Sequence, residues 1–145
     1  MEIPVYVTPE EVRRVCKALG LRDWSRMKSP KVTLKEASRI LKEVNREGMR
    51  IPLEEFRAGL EVELEHGTRF PDANVTNNHP LLTGKIVLAH LKESMDYYQR
   101  LTVAELEGDL VRALAAKDAA KLEGYYKRLL KARAVLAQTE AKAVK

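Results

Sequence analysis

The sequence has few residues that crosslink or interrupt a chain. Its 145 residues include one cysteine, six prolines and seven glycines. The single cysteine, Cys16, excludes an internal disulfide bond and is compatible with a reducing compartment. No apolar run approaches the roughly 18–20 residues of a membrane-spanning helix, and residues 1–9 lack the apolar core of a signal peptide. We therefore expect a cytoplasmic protein without a membrane segment.

The residues that are abundant favour a helical domain. Ala, Leu, Glu, Lys and Arg are frequent, and 45% hydrophobic with 32% charged residues is typical of a globular chain. The length fits one domain that can bury a core. The net charge of +5 is unevenly spread, because an acidic excess in residues 51–100 lies between two basic flanks. We interpret most of these charges as solvated helix faces.

Capping residues mark the first two helices. Thr8 precedes a proline and apolar residues at helical spacing, and Gly20 ends that segment. Thr33 and Glu36 form a second capping-box pattern, and the helix that follows is predicted to stop near Gly48. The sequence therefore predicts two short amphipathic helices with a connector between them.

Two further helices and a helical hairpin follow. Pro52 opens a helix that is predicted to end at Gly67, and a polar loop leads to a fourth helix over residues 81–101. The last part is rich in Ala, Leu, Lys and Arg, which predicts a hairpin with one arm to about Ala115 and another over residues 118–138.

These elements predict an all-α fold. We expect a compact helical core domain in residues 1–101, in which a central antiparallel helix pair is joined by a long ordered loop. Residues 102–145 are interpreted as an appended C-terminal helical hairpin.

Two His–carboxylate pairs are the main candidate site. Glu63 and His66 are three residues apart on the third helix, and His90 and Glu93 are three apart on the fourth, so each pair projects on one side. Together they could provide ligands for Zn, Mn or Fe. The alternative is a buried Glu63–His90 hydrogen-bonded pair with His66 capping its own helix end. In either case we expect His90 to be more than three-quarters buried.

The loop between these helices carries a second polar group. Asp72, Asn74, Thr76 and Asn78 alternate like the first ligands of a calcium loop, but Asn77 occupies the position of the turn glycine and Thr83 that of the bidentate glutamate. We therefore predict a structural role, in which Asx and Thr turns order the loop.

The C-terminal hairpin is a candidate interaction surface. Lys121, Arg128 and Lys131 can share one side of a helix, and Tyr125 and Tyr126 lie between them in sequence. Such residues can bind nucleic acid or cover a protein partner. We favour a protein partner or self-association, because no nucleic-acid-binding motif accompanies the basic row.

Several functional classes have no support in the sequence. It contains no glycine-rich phosphate loop, no nucleophile elbow and no His-Glu-x-x-His motif. Our first hypothesis is a non-enzymatic binding or assembly module. The alternatives are a metal-dependent, hydrolase-like enzyme that uses the Glu/His cluster, and a basic accessory protein that binds nucleic acid.

Some stretches resemble a known family. They are FRAGLEVELEHG at residues 56–67, NVTN at 74–77, PLLTGKIVLAHLKE at 80–93 and DYYQRL at 96–101. The chain resembles domain-of-unknown-function family 5661, found in bacteria and phages, over roughly residues 8–101. The resemblance implies that the helix in residues 31–48 is an insertion. The matching positions are Glu63, Glu65, His66, Gly67, Thr76, Pro80, Gly84, Lys85, His90, Leu91, Asp96, Tyr97 and Tyr98. The resemblance implies no activity; it makes a phage- or virion-associated role plausible, and His79 stands where an acidic residue is expected.

Overall fold

Local capping interactions determine where the first helices begin and end. In the computed structural model, which describes residues 7–144, the Thr8 side chain accepts a hydrogen bond from the Glu11 backbone at 3.2 Å. Gly20 closes the helix with φ 61°, a left-handed conformation that glycine adopts without strain. Thr33 and Glu36 form the reciprocal capping box that the sequence predicts.

Within residues 7–144 the regular elements are helices. The α-helices are α1 Pro9–Leu19, α2 Leu34–Val44, α3 Leu53–Arg69, α4 Pro80–Glu93, α5 Tyr97–Ala115 and α6 Ala119–Ala143, and short 3-10 turns span Trp24–Arg26 and Pro71–Ala73. The all-α prediction is confirmed, with α3 and α4 as the central pair and α5 and α6 as the hairpin. The chain divides into two compact units, with the boundary between Glu93 and Ser94. No helix among the described residues is long and apolar enough to cross a membrane.

The first unit is built around a core shared by α1 to α4. Its buried apolar side chains are Val12, Val15, Cys16, Trp24, Val32, Ala37, Ile40, Val44, Phe56, Leu60, Leu64, Val87 and Leu91. The helices α2 and α4 approach closely at Gly84, where an added Cβ would lie 2.6 Å from Ile40 Cγ2. The glycine therefore permits this helix contact. Burial also raises the pKa of the Cys16 thiol, as expected for a core cysteine.

A buried charged network fixes the connector before α2. The Arg22 guanidinium donates to both carboxylate oxygens of Glu36, at 2.9 and 3.0 Å. The Trp24 indole N–H donates to the same carboxylate at 3.2 Å, and the Thr33 backbone N–H does so at 2.9 Å. Burial alone would raise the pKa of Glu36, but these donors lower it to about 2. The carboxylate therefore stays ionised and joins the connector to α2.

The second unit is a two-helix hairpin with a narrow seam. On α6 the side chains that are not fully exposed are Leu122, Tyr125, Leu129, Ala132, Leu136 and Thr139. They follow alternating steps of three and four residues, which is the heptad pattern of a coiled coil. The fully buried apolar side chains of the hairpin are only Tyr98, Leu106, Ala113 and Leu129. Most of α6 therefore faces solvent.

Four predicted boundaries are wrong. The last helix does not end at residue 138 but continues to Ala143. The third helix does not end at Gly67 but continues to Arg69. The fourth helix does not reach residue 101, because α4 ends at Glu93 and α5 begins at Tyr97. The second helix ends at Val44, four residues before Gly48. The division into domains at residues 101 and 102, and the inserted character of residues 31–48, stay predictions.

Candidate functional site

Glu63 lies between the two histidines of the central helix pair. Its Oε2 is 3.9 Å from His66 Nδ1 on the same helix, and its Oε1 is 3.6 Å from His90 Nε2 on α4. The other ring nitrogen of His90, Nδ1, is 3.7 Å from Glu93 Oε2. The structure thus connects all four predicted side chains through successive contacts, from His66 to Glu63, His90 and Glu93.

The four side chains do not converge on one point. Glu63 and Glu93 approach opposite nitrogens of the His90 ring. A metal ion bound at Nε2 would therefore lie on the far side of the ring from Glu93, which could not be its ligand. Among residues 7–144, no group of three or more His, Cys, Asp or Glu side chains is arranged to hold a metal ion. In this arrangement Glu93 can orient the imidazole through Nδ1, as carboxylates behind metal-bound histidines do.

The burial of the cluster differs from our expectation. The Glu63 side chain is 13% exposed and the His90 side chain 29%, so the prediction that His90 is more than three-quarters buried is wrong. His66 is largely exposed on the last turns of α3. The distances from His90 to the two carboxylates, 3.6 and 3.7 Å, are longer than those of short hydrogen bonds.

A concave surface adjoins this cluster. It has a volume of about 310 Å³ and lies between the end of α3, the loop and α4. Glu63 and His66 form its polar wall, and Phe70, Val75 and Ile86 supply exposed apolar side chains. A larger cavity, of about 480 Å³, lies between the end of α2 and α4, where Lys92 pairs with Glu47 at 2.6 Å. The larger cavity lies apart from the Glu/His cluster.

The loop asparagines bind the protein's own backbone. Asn74 Nδ2 donates to Asn78 Oδ1 at 3.1 Å and to the Gly67 carbonyl at 3.4 Å. The Asn77 amide donates to the Val7 carbonyl, and Thr76 Oγ1 lies 3.4 Å from Asn74 Oδ1. Asp72 lies in the short turn Pro71–Ala73. At Gly67 an added Cβ would lie 2.2 Å from Asn78 Oδ1, so the glycine lets the loop pack against α3.

Sequence reasoning missed the role of His79. Its Nδ1 accepts hydrogen bonds from the backbone N–H groups of Leu81 and Leu82, at 3.2 and 3.3 Å, so the ring caps α4. Burial lowers the pKa of His79, and the charge of Arg14 also lowers it, whereas that of Glu11 raises it. The available signal was a polar side chain just before a proline at the helix start.

Ion pairs define one side of the C-terminal hairpin. Arg133 pairs with Glu107 at 2.6 Å and Arg100 pairs with Glu140 at 2.9 Å, both between α5 and α6. Leu114 follows Glu107 by seven residues and Tyr126 precedes Arg133 by seven. Since seven residues are two turns of a coiled coil, Leu114 and Tyr126 continue the same side towards the hairpin turn.

This side carries an apolar face near the turn. We define the apolar face as Val111 and Leu114 on α5 with Tyr126 and Leu130 on α6. Each of these side chains is between 49% and 68% exposed. Together they contribute roughly 400 Å² of apolar surface, which is within the size range of functional patches on monomers.

The predicted basic and aromatic surface is divided between two sides. Lys121, Arg128 and Lys131 form a basic face on the side of α6 that also carries Val135, seven residues after Arg128. Tyr125 lies in the seam, with the Arg128 guanidinium 5.7 Å from its ring centre. Tyr126 belongs to the apolar face instead. The two tyrosines therefore do not interleave with the basic residues on one surface.

Comparison with known proteins identifies the family. A family model described as "Protein of unknown function (DUF5661)" matches residues 12–107, about two thirds of the chain. The match includes the Glu/His cluster and the first half of α5, whereas the apolar face lies beyond it. No curated protein and no solved structure matches the chain.

Proposed function

The chain belongs to the DUF5661 family of proteins of unknown function, and within it we propose that this protein is a non-enzymatic assembly module that binds a protein partner through its C-terminal hairpin. The exposed apolar face carries this proposal. A two-helix hairpin has a small core of its own. A partner that covers the apolar face would remove the exposed side chains of Val111, Leu114, Tyr126 and Leu130 from water, which stabilises the complex.

The arrangement of charges supports a protein partner over nucleic acid. The apolar face ends at the Arg133–Glu107 ion pair, in which the cation is already neutralised. An apolar centre with a polar rim is the usual anatomy of a protein interface. Phosphate recognition, in contrast, requires several unpaired cations on one surface.

The test compares two variants of one helix. Leu130→Glu places a charge in the apolar face, and Val135→Glu places the same charge on the other side of α6, at 49% and 51% exposure respectively. We expect Leu130→Glu to abolish association, measured as self-association by sedimentation and as partner capture from cell extract. Val135→Glu should leave association intact. Equal behaviour of the two variants would contradict the proposal.

A metal-dependent role of the Glu/His cluster is the second candidate. The spacings of 3.6 and 3.9 Å around Glu63 support it, because two ligand atoms of a tetrahedral zinc ion lie about 3.3 Å apart. Zn, Mn or Fe would then bind between Glu63 and the histidines, with hydrolysis as the associated chemistry. Metal analysis of protein purified without a nickel tag tests this candidate. Stoichiometric metal that is lost in His90→Ala but kept in His79→Ala would support it, and no uptake of added zinc would refute it.

Nucleic-acid binding is the third candidate, and the basic face favours it. Binding to DNA that weakens steeply with salt, and that is lost in Lys121→Ala together with Arg128→Ala, would support this candidate. A phage- or virion-associated place of action follows only from the family resemblance. Detection of the protein in purified virions would test it.

A further inference from the structure

The two helices of the hairpin contribute equally to the apolar face. Each helix contributes one side chain that continues the line of the interhelical ion pairs, namely Leu114 on α5 and Tyr126 on α6. Each also contributes one side chain next to that line, namely Val111 on α5 and Leu130 on α6. The interhelical pairs Arg133–Glu107 and Arg100–Glu140 share one register, and this register places Tyr126 opposite Leu114. A two-fold interface brings the same patch of both copies together, so these equal contributions would set each α5 side chain against an α6 side chain of the other copy.

The two helices also differ in charge. Within its bounds α5 carries two basic and three acidic residues, whereas α6 carries six basic and two acidic residues. Lys121, Arg128 and Lys131 lie on the opposite side of α6 from the apolar face, so this difference in net charge acts at long range. It disfavours a second α6 beside α6 and favours a second α5 there. The charge pattern therefore favours stacking of two hairpins with α5 of each copy against α6 of the other.

We propose that the partner is a second copy of this chain, and that two hairpins stack on their apolar faces as an antiparallel four-helix bundle in which each α5 packs against α6 of the other copy. This inference rests on the proposed function and specifies its partner. A two-fold axis parallel to the helices produces this arrangement, because rotation about it places α5 of the second hairpin over α6 of the first, and α6 over α5. It also places both hairpin turns at the same end, so the two apolar faces meet in register.

The bundle completes a core that the single hairpin lacks. Four-helix bundles pack antiparallel neighbours around apolar layers, and here the second copy supplies the side chains that cover Val111 and Leu130. The ion pairs at Arg133 and Arg100 then lie along the rim. The association buries an apolar surface of limited size, so we expect an equilibrium that depends on protein concentration.

The first experiment measures the mass of the full-length chain by light scattering across a series of concentrations. We expect twice the 16.5 kDa of one chain at high concentration. Leu130→Glu and, independently, Val111→Glu should halve that mass with unchanged helical content in circular dichroism. Val135→Glu is the matched control and should remain dimeric.

The second experiment tests the orientation. Lys117 lies in the exposed turn between α5 and α6, so Lys117→Cys places a thiol at the end where the two turns meet. Oxidation should produce a covalent dimer of this variant. The wild-type chain should stay uncrosslinked, because its Cys16 is buried.

The outcomes separate this inference from the proposed function. A monomer at every concentration that captures another protein through the apolar face overturns self-association and leaves the proposed function standing. A dimer that persists in both Leu130→Glu and Val111→Glu overturns the inference. A dimer that these variants disrupt, but that Lys117→Cys does not crosslink, overturns the arrangement in which both hairpin turns lie at the same end of the bundle.

Discussion

Acidification should destabilise the first unit mainly through Glu36. The folded protein lowers the pKa of Glu36 from 4.5 to about 2, because the Arg22, Thr33 and Trp24 donors outweigh the cost of burial. A group with a depressed pKa contributes its full stability above the pKa of the unfolded chain. The contribution is therefore present above pH 4.5 and is lost as the pH falls towards 2.

The size of this effect follows from the shift. Each pKa unit corresponds to about 1.4 kcal/mol, so the network contributes an upper value of about 3 kcal/mol. The Arg22 side chain is 54% exposed, and solvent screening reduces that figure. We expect Glu36→Gln to lower the free energy of unfolding at pH 7 by about 2 kcal/mol.

Trp24 provides the assay. It is the single tryptophan, it is buried, and its indole N–H binds the Glu36 carboxylate. Urea unfolding followed by tryptophan fluorescence therefore reports on the unit that contains the network. The difference between wild type and Glu36→Gln should shrink as the pH falls from 5 towards 2. The exposed Glu43→Gln is the control for the change in net charge, and it should follow the wild type.

A constant difference between wild type and Glu36→Gln across this pH range would refute the reasoning. It would mean that the two proteins differ by packing rather than by ionisation. The same conclusion would follow if Glu43→Gln reproduced the pH dependence of Glu36→Gln.

Two further predictions concern glycines within helices and the cap of α4. Gly84→Ala should destabilise the protein by about 1–3 kcal/mol in thermal unfolding, because the new methyl group meets Ile40. The control, Gly124→Ala, meets nothing within 4 Å and should stabilise its helix by up to about 1 kcal/mol. Equal effects of the two substitutions would contradict the close approach of α2 and α4 at Gly84. His79→Ala should cost about 1 kcal/mol at pH 8 through loss of the α4 cap. Because burial lowers the pKa of His79 below its usual 6.5, this difference should be full above pH 6.5 and decline below it. His79→Asn, a good cap at every pH, should show no such decline.

The sequence determines the parts of the fold that depend on local chemistry. The capping box at Thr33 and the left-handed Gly20 were predicted because a cap needs only residues within one turn. The hairpin was also predicted, since the apolar spacing of α6 repeats over many turns. The side chains of the Glu/His cluster were identified from two short spacings on adjacent helices.

The break between α4 and α5 shows where local pattern was insufficient. Helical spacing of apolar residues continues through residues 94–96, and no glycine or proline marks an end there. Instead, Asp96 accepts hydrogen bonds from the Ser94 hydroxyl and from the Arg100 guanidinium, and these bonds accompany a new helix start. These bonds join side chains and do not cap α5, so neither composition nor a capping pattern distinguishes this break in the sequence.

Only the tertiary structure decided how the side chains meet. Spacing along one helix could not reveal that Glu63 and Glu93 approach opposite nitrogens of His90, because that depends on the lengthwise position of α4 against α3. It also could not show that Tyr126 joins Leu114 while Arg128 faces the other way, because interhelical register is set by the Arg133–Glu107 and Arg100–Glu140 pairs. The physical reason is range: caps and periodicity act within a few residues of one helix, whereas a site or an interface depends on contacts between residues that are distant in sequence.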